Sequence, residues 1–191
     1  MISTFTAFID SNVFYGARLR SLILYLAVTG LFRVRWSKDV HREWMRNVVE
    51  NRPDLSMSSL EQTRGQMDAA VLDCLVTGYE PLIDSLNLPD KDDRHILAAA
   101  ITGKAECIVT FNQRHFPSDV LKPYNIQTCH PDDFLLDVFD IDERACLWAV
   151  QQDIGHYKNP PLTVDDYLAS LEKAGVPKVV GFLGERKIVF E

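Results

Sequence analysis

Apolar positions along this chain come in two rhythms, short continuous runs and helical stripes, and the two alternate. Thr4 to Ile9 is a β-branched and aromatic run that stops at Asp10, the pattern of a buried strand. Asp10-Ser11-Asn12 is a turn or helix-start cluster, and the apolar positions from Leu19 to Leu26 predict a helix ending near Gly30. Leu31 to Trp36 alternates apolar and basic residues, as a second strand does. Ser37 then stands where a cap belongs, ahead of a helix carrying Val40, Glu43, Trp44 and Val48. Ser59 to Val76 reads as one further helix closed by Gly78.

The segment Leu88 to Ile101 predicts a helix with acids at its positive end and an alanine run of high helix propensity, stopped by Gly103. Cys107 to Phe111 reads as a buried strand, and Asn125 to Thr128 as a last short one before His130-Pro131. Strand and helix in alternation predict an α/β fold: a central parallel sheet with helices on both faces. Ligands in such sheets sit outside the carboxyl ends of the strands, where Asp10 and Asn112 both fall. Beyond about Asp140 the strand signals fade. Glu143 to Ile154 is helical in pattern, Asn159-Pro160-Pro161 breaks it, and Thr163 to Asp166 resembles a capping box ahead of Tyr167, Leu168 and Leu171. The expected organisation is a domain over 1–140 with a small C-terminal helical extension over 141–191.

Composition narrows the classes. At 191 residues, 47% hydrophobic and 25% charged, the chain can bury a core without disulfide staples. A net charge of −7 argues against a protein held on nucleic acid mainly by bulk charge. The longest apolar run, Leu22 to Val28, falls far short of the ~20 residues of a membrane span, so no membrane partner is expected. No basic stretch precedes an apolar block at the N-terminus, so no secretory signal is readable. Cys74, Cys107, Cys129 and Cys146 form no C-x-x-C pair, which points to buried thiols in a reducing, cytoplasmic setting.

The chemistry lies in acids at element ends: Asp10 after a strand, Glu43 within a helix, Asp90 and Asp93 at a helix start. Three helical residues advance about 300°, so Asp90 and Asp93 can share a face. Gathered carboxylates repel unless a cation neutralises them, and oxygen donors without nearby Cys or His pairs suit a hard ion, Mg²⁺ or Mn²⁺. Such an ion points to phosphodiester hydrolysis. Plainer roles exist for each residue. Asp10 is placed to cap the next helix, Glu43 to be a solvated helix charge, Asp90 and Asp93 to form an N-cap and its partner. Asn112 is an ordinary turn residue, His95 and His115 read as surface or structural residues, and Trp44 and Trp148 as core aromatics.

Three segments, Phe8 to Val13, Asp90 to Ala100 and Val109 to Phe116, resemble the PIN-domain family, and most closely the VapC-type toxins of bacterial toxin–antitoxin pairs. The likeness runs from about Ile2 to Leu136, and Asn159 to Leu171 resembles the C-terminal extension of one PIN subgroup. The resemblance implies a Mg²⁺- or Mn²⁺-dependent endoribonuclease in which Asp10, Glu43 and Asp93 hold the ion. Asp90 would be an additional acid, with Asn12 and Thr110 orienting the acids or the attacking water. The family's fourth acidic position falls at Asn112, an amide that can coordinate a hard ion without adding charge; Asp119 is a nearby substitute. The resemblance also implies an RNA substrate, a cognate antitoxin that inserts a segment into the acidic site, and a homodimer. Arg18, Arg20, Arg33, Arg35, Arg94 and Arg114 are the cations available to meet RNA. Two rival readings stand beside this one. One is a non-catalytic PIN-like module binding a metal or partner. The other is an aspartyl-phosphate phosphotransferase on Asp10, which would want an acid where Asn12 stands.

Overall fold

A computed structural model describes residues 4–190. In chain order the elements are β1 (Thr6–Ile9), α1 (Ser11–Phe14), α2 (Ala17–Val28), β2 (Arg33–Ser37), α3 (Lys38–Asn51), α4 (Met57–Ala70), β3 (Leu75–Val76), α5 (Glu80–Ile83) and α6 (Arg94–Thr102). There follow β4 (Cys107–Val109), α7 (Ser118–Leu121), β5 (Gln127–Cys129), α8 (Pro131–Ile141), α9 (Glu143–His156), α10 (Val164–Lys173) and α11 (Pro177–Gly184). Two compact units result. The first comprises the chain up to Tyr15 with Phe32–His130, the second Gly16–Leu31 with the chain from Pro131 on. No helix of the described residues is long and apolar enough to cross a membrane.

The first unit holds a sheet in the order β3-β2-β1-β4-β5, and every strand pair is parallel, the α/β architecture the alternating pattern predicts. Ala7, Phe8 and Ile9 of β1 and Ile108 and Val109 of β4 are wholly buried, as parallel strands covered on both faces must be. From β1 the chain first builds outward through β2 to β3, then returns to lay β4 on the other side of β1. The order therefore reverses between β1 and β4, and a crevice at such a point lies at the carboxyl ends of both strands.

Glu43 owes its place to the anchoring of α3. Ser37 Oγ accepts from the Val40 amide at 3.3 Å, capping the helix as its sequence predicts, and Val40, Trp44 and Val48 are buried. Trp44 Nε1 donates to His41 Nδ1 at 2.9 Å, so the neutral imidazole carries its proton on Nε2, 3.0 Å from Asp68 Oδ1. That same oxygen accepts from Trp36 Nε1 at 2.9 Å, which ties β2, α3 and α4 together. Burial pushes the His41 pKa down, and this keeps the ring neutral.

Two expectations need correction. The segment 59–76 is not one helix: α4 ends at Ala70, the chain turns through Asp73 at φ 56°, and Leu75–Val76 pair with Trp36 and Ser37 as β3. Two residues are too few to show a period, and the strand exists because an open edge of β2 is there to pair with. Trp148 is no core residue; it stands 55% exposed on α9, while Trp44 is fully buried. Of the cysteines, Cys74, Cys107 and Cys146 are buried, as expected of small hydrophobes, and Cys129 is partly so.

The second unit is helical. Leu19, Leu22, Ile23 and Leu26 give α2 its buried stripe. Asp153 of α9, wholly buried, accepts from Ser21 Oγ at 2.5 Å and from the Tyr167 hydroxyl at 2.8 Å. Thr163 caps α10, with Asp166 N–H donating to its Oγ1 at 3.1 Å. Asp132 of α8 accepts from the amides of Lys178 and Val179, both at 2.9 Å, so a carboxylate occupies the positive end of α11.

Two stability outcomes follow. A Cβ at Gly103 would meet Val76 Cγ2 at 2.9 Å and Ala99 O at 3.0 Å. Overpacking costs about 1–3 kcal/mol, more than the 0.4–1 kcal/mol or so that Gly→Ala recovers from the unfolded chain. Gly103→Ala is therefore expected to lower the urea midpoint. Asp132→Ala removes both acceptors from the start of α11 and is expected to cost about 1–2 kcal/mol in the same titration.

Candidate metal centre

Asp10 leaves β1 at the crevice and is 3% exposed. Its Oδ1 accepts from the Ser11 amide at 2.6 Å, so it does cap α1. Its Oδ2 accepts from Asn12 Nδ2 and Thr110 Oγ1, each at 2.6 Å. Asn12 Oδ1 in turn accepts from the Phe111 amide at 3.2 Å, and Thr110 Oγ1 from the Asn112 amide at 3.0 Å. The residues after β1 and those after β4 are thereby laced to one another. Asn12 and Thr110, which the resemblance casts as orienting residues, are bonded directly to the carboxylate they would orient.

Two further acids, Asp93 and Glu43, lie near enough to act on Asp10 by charge, although among the described residues the donor atoms within 4.8 Å of one another are those of Asp90, Asp93 and His115. Burial raises the Asp10 pKa first of all, and the negative charges of Asp93 and Glu43 raise it further against the hydrogen bonds from Thr110 and Ser11. Asp93 is raised too, by burial first and then by Asp90 and Glu43, although His115 works the other way. Glu43 differs. Burial pushes it up, but the hydrogen bond and charge of His95, aided by Ser11, outweigh that and hold its pKa below the usual value. Glu43 thus stays ionised while its neighbours resist ionisation.

The histidines are what the sequence reading passed over. His95 Nε2 lies 2.7 Å from Glu43 Oε1, and His115 Nδ1 lies 2.7 Å from Asp93 Oδ2 and 4.0 Å from Asp90 Oδ2. Asp90, Asp93 and His115 each offer a ligand atom within 4.8 Å of the others. Single imidazoles therefore stand beside the acids, one against Glu43 and one against Asp93, where the sequence pattern pointed to oxygen donors. His95 lies two residues from Asp93 in sequence, but its partner Glu43 is 52 residues away, a separation no local pattern encodes.

Asp93 sits at the N-cap position of α6, yet its side chain makes no capping bond there. Asn112, exposed, begins the 3₁₀ turn Gln113–His115. Asp119 lines a different cleft, with Glu106, Lys122 and Asn125. Among the cations, Arg94 follows Asp93 directly and has a buried Nε with no partner among the described residues, while Arg114 is exposed beside His115. Arg33 is exposed and Arg35 half-buried on β2. Arg20 is 8% exposed, with burial lowering its pKa to about 10, and is no solvent-facing cation. Arg18 lies over the Tyr157 ring at 3.9 Å. Half-buried carboxylates that raise one another's pKa, with open oxygen and nitrogen donors beside them, are a donor set that fits a divalent cation.

A PIN-domain profile matches residues 6–114, more than half of the chain. The chain belongs to the PIN-domain family. Asp10, Glu43, Asp90 and Asp93 all lie within the PIN match, and residues 131–185 match a second profile, the VapC50 C-terminal domain. The chain is also similar to a protein of Mycobacterium tuberculosis (strain ATCC 25618 / H37Rv) named "Putative ribonuclease VapC50", 48% identical over 94 residues. Those residues are 49% of this chain and 55% of that protein, so the match spans about half of each. No solved structure matches.

The pKa directions fix a sign. Asp10 and Asp93 have folded pKa values above their ordinary 3.8, so between that value and the folded one the native state binds protons that the unfolded chain does not. Stability then rises as pH falls through the folded values. In EDTA, the wild-type minus Asp93→Asn difference in Tm is expected to grow in favour of the wild type on going from pH 7 to pH 4, just above the ordinary value of 3.8. Scanning calorimetry at the two pH values reads it.

Proposed function

We propose that this PIN-domain protein is a divalent-cation-dependent endoribonuclease, the cytoplasmic toxin of a toxin–antitoxin pair. The observation that carries the reading is that Asp93 and Glu43 lie near enough to Asp10 to raise its pKa by their charge, at the sheet edge where the strand order reverses. In this reading the nuclease chemistry belongs to residues 1–140, and residues 141–191 form the helical extension.

The residues divide the work by environment. Asp10 is held rigid by Ser11, Asn12 and Thr110, which leaves its carboxylate no rotational freedom to lose on binding. Asp93, with Asp90 as a further acid, is the second oxygen donor, and Glu43 the third. A divalent cation, Mg²⁺ or Mn²⁺, supplies Lewis acidity toward the scissile phosphate and toward water. Glu43 is kept anionic by His95, so at neutral pH it accepts a hydrogen bond from an attacking water and orients it. Arg94, directly after Asp93, and Arg114, directly before His115, meet RNA phosphates and fix register without reading bases.

The likeness to a protein named as a ribonuclease supports RNA as the substrate, and the resemblance to VapC-type toxins implies a cognate antitoxin as partner and a homodimer as the assembly. One observation favours a non-catalytic module instead: Asn112 is an amide and brings no charge to the edge. The phosphotransferase reading is disfavoured because Asn12 Nδ2 is spent on Asp10 Oδ2.

Incubation of total RNA with and without EDTA tests the proposal. Wild type is expected to cleave only with a divalent cation, and Asp10→Asn and Asp93→Asn each to lose about 100-fold or more. Cleavage in EDTA, or full activity in both variants, contradicts it. Absence of cleavage under every cation and pH tried speaks for the module.

A further inference from the structure

The Asp93 carboxylate is the start of the argument. It stands at the N-cap of a nine-residue helix but makes no side-chain bond to that helix's amides. It turns instead toward His115, whose Nδ1 is 2.7 Å from its Oδ2. Asp90 divides its oxygens similarly: Oδ1 accepts from the Asp92 amide at 3.0 Å, and Oδ2 points to the same His115 nitrogen from 4.0 Å. Three donor atoms from two separate loops thus surround one small space.

The spacing suits coordination. Ligands about 2.1 Å from an octahedral ion lie about 3.0 Å apart when adjacent and about 4.2 Å when opposite. The separations of 2.7 and 4.0 Å lie slightly below those values, and all three donor atoms fall within 4.8 Å of one another. His115 and Asp90 are 24% and 46% exposed, which leaves room for waters to complete a coordination shell. The backbone beneath His115 is pinned, its amide donating to Asn112 O at 2.9 Å, so the ring is delivered at a fixed point just beyond β4.

We infer that His115 is a ligand of the cation through Nδ1, completing a mixed nitrogen–oxygen site with Asp93 and Asp90, and that the site takes Mn²⁺ in preference to Mg²⁺. This rests on the reading of the centre as a divalent-cation site and adds to it the identity of a nitrogen donor. Mg²⁺ demands oxygen and keeps its waters, whereas Mn²⁺, although lowest in the first-row affinity order, is a softer ion than Mg²⁺ and accepts a nitrogen donor among carboxylates more readily. The chain brings an uncharged amide at Asn112, and the imidazole three residues on supplies a donor in that region of the edge. His95 plays a different part. Its side chain is 11% exposed, its Nε2 is committed to Glu43 and its Nδ1 is buried, so it positions Glu43 and does not ligate.

Pulsed electron paramagnetic resonance of the full chain loaded with Mn²⁺ tests this without depending on cleavage. The expected spectrum shows a directly bonded nitrogen whose coupling changes when histidine alone is labelled with ¹⁵N, a comparison that needs no variant. The coupling is expected to vanish in His115→Ala and persist in His95→Ala. The ratio of Mn²⁺ to Mg²⁺ affinity is expected to fall about 10-fold in His115→Ala. Mn²⁺ bound without nitrogen coupling, or with coupling retained in His115→Ala, overturns the ligand assignment and leaves the metal-dependent nuclease standing. A wild-type chain that binds no Mn²⁺ at all overturns both.

Discussion

A carboxylate that is buried and also faces other carboxylates governs the first unit. Asp10 is 3% exposed, and its ionised form is opposed by burial and by the charges of Asp93 and Glu43. Four residues of strand place it there, because β1 lies at the centre of the sheet and its carboxyl end opens where the strand order reverses. The opposing force is a set of aimed donors. Ser11, Asn12 and Thr110 each give Asp10 a hydrogen bond at 2.6 Å, and two of those donors are themselves fixed by backbone amides beyond β4. The result is an anion held in place and only partly neutralised.

Around that anion the environment treats like groups differently. Glu43 and Asp93 each meet an imidazole at 2.7 Å, yet Glu43 is pulled below its ordinary pKa while Asp93 is pushed above it. The difference lies in neighbours: Glu43 has Ser11 and the Arg46 charge on its side, whereas Asp93 has the repulsion of Asp90 and Glu43 itself. Unequal carboxylates suit a centre in which one acid, kept anionic, orients a water besides helping to hold a cation, the part given to Glu43 in the proposed nuclease.

Placement of Glu43 depends on a neutral relay well behind it. Trp44 donates to His41, and Asp68 receives both His41 and Trp36, so a helix that carries several charges is clamped to β2 by rings. The buried histidine is satisfied on both nitrogens, which makes it a structural pin. In the second unit Asp153 does comparable work, gathering Ser21 and Tyr167 from two other helices around one buried acid.

Much of this was written locally. The runs before Asp10 and after Glu106 are apolar and β-branched, and burial on both faces leaves a strand no other composition. Ser37 and Thr163 announce their helices because a cap bonds an amide only three residues away. Asp10, Glu43 and Asp93 were legible as acids at element ends, and parallel topology sends such ends to one edge. Fold class and the core of the acidic centre follow from those short-range rules. The strand Leu75–Val76 was not legible, since it takes its conformation from an edge of β2 that folding has to present first. The roles of His95 and His115 were likewise settled by contacts across 52 and 22 residues, and Trp148 faces solvent on a helix whose own pattern gave no warning. Hydrogen bonds within a turn of chain are dictated by the chain; those between distant segments exist only once packing has paired the segments.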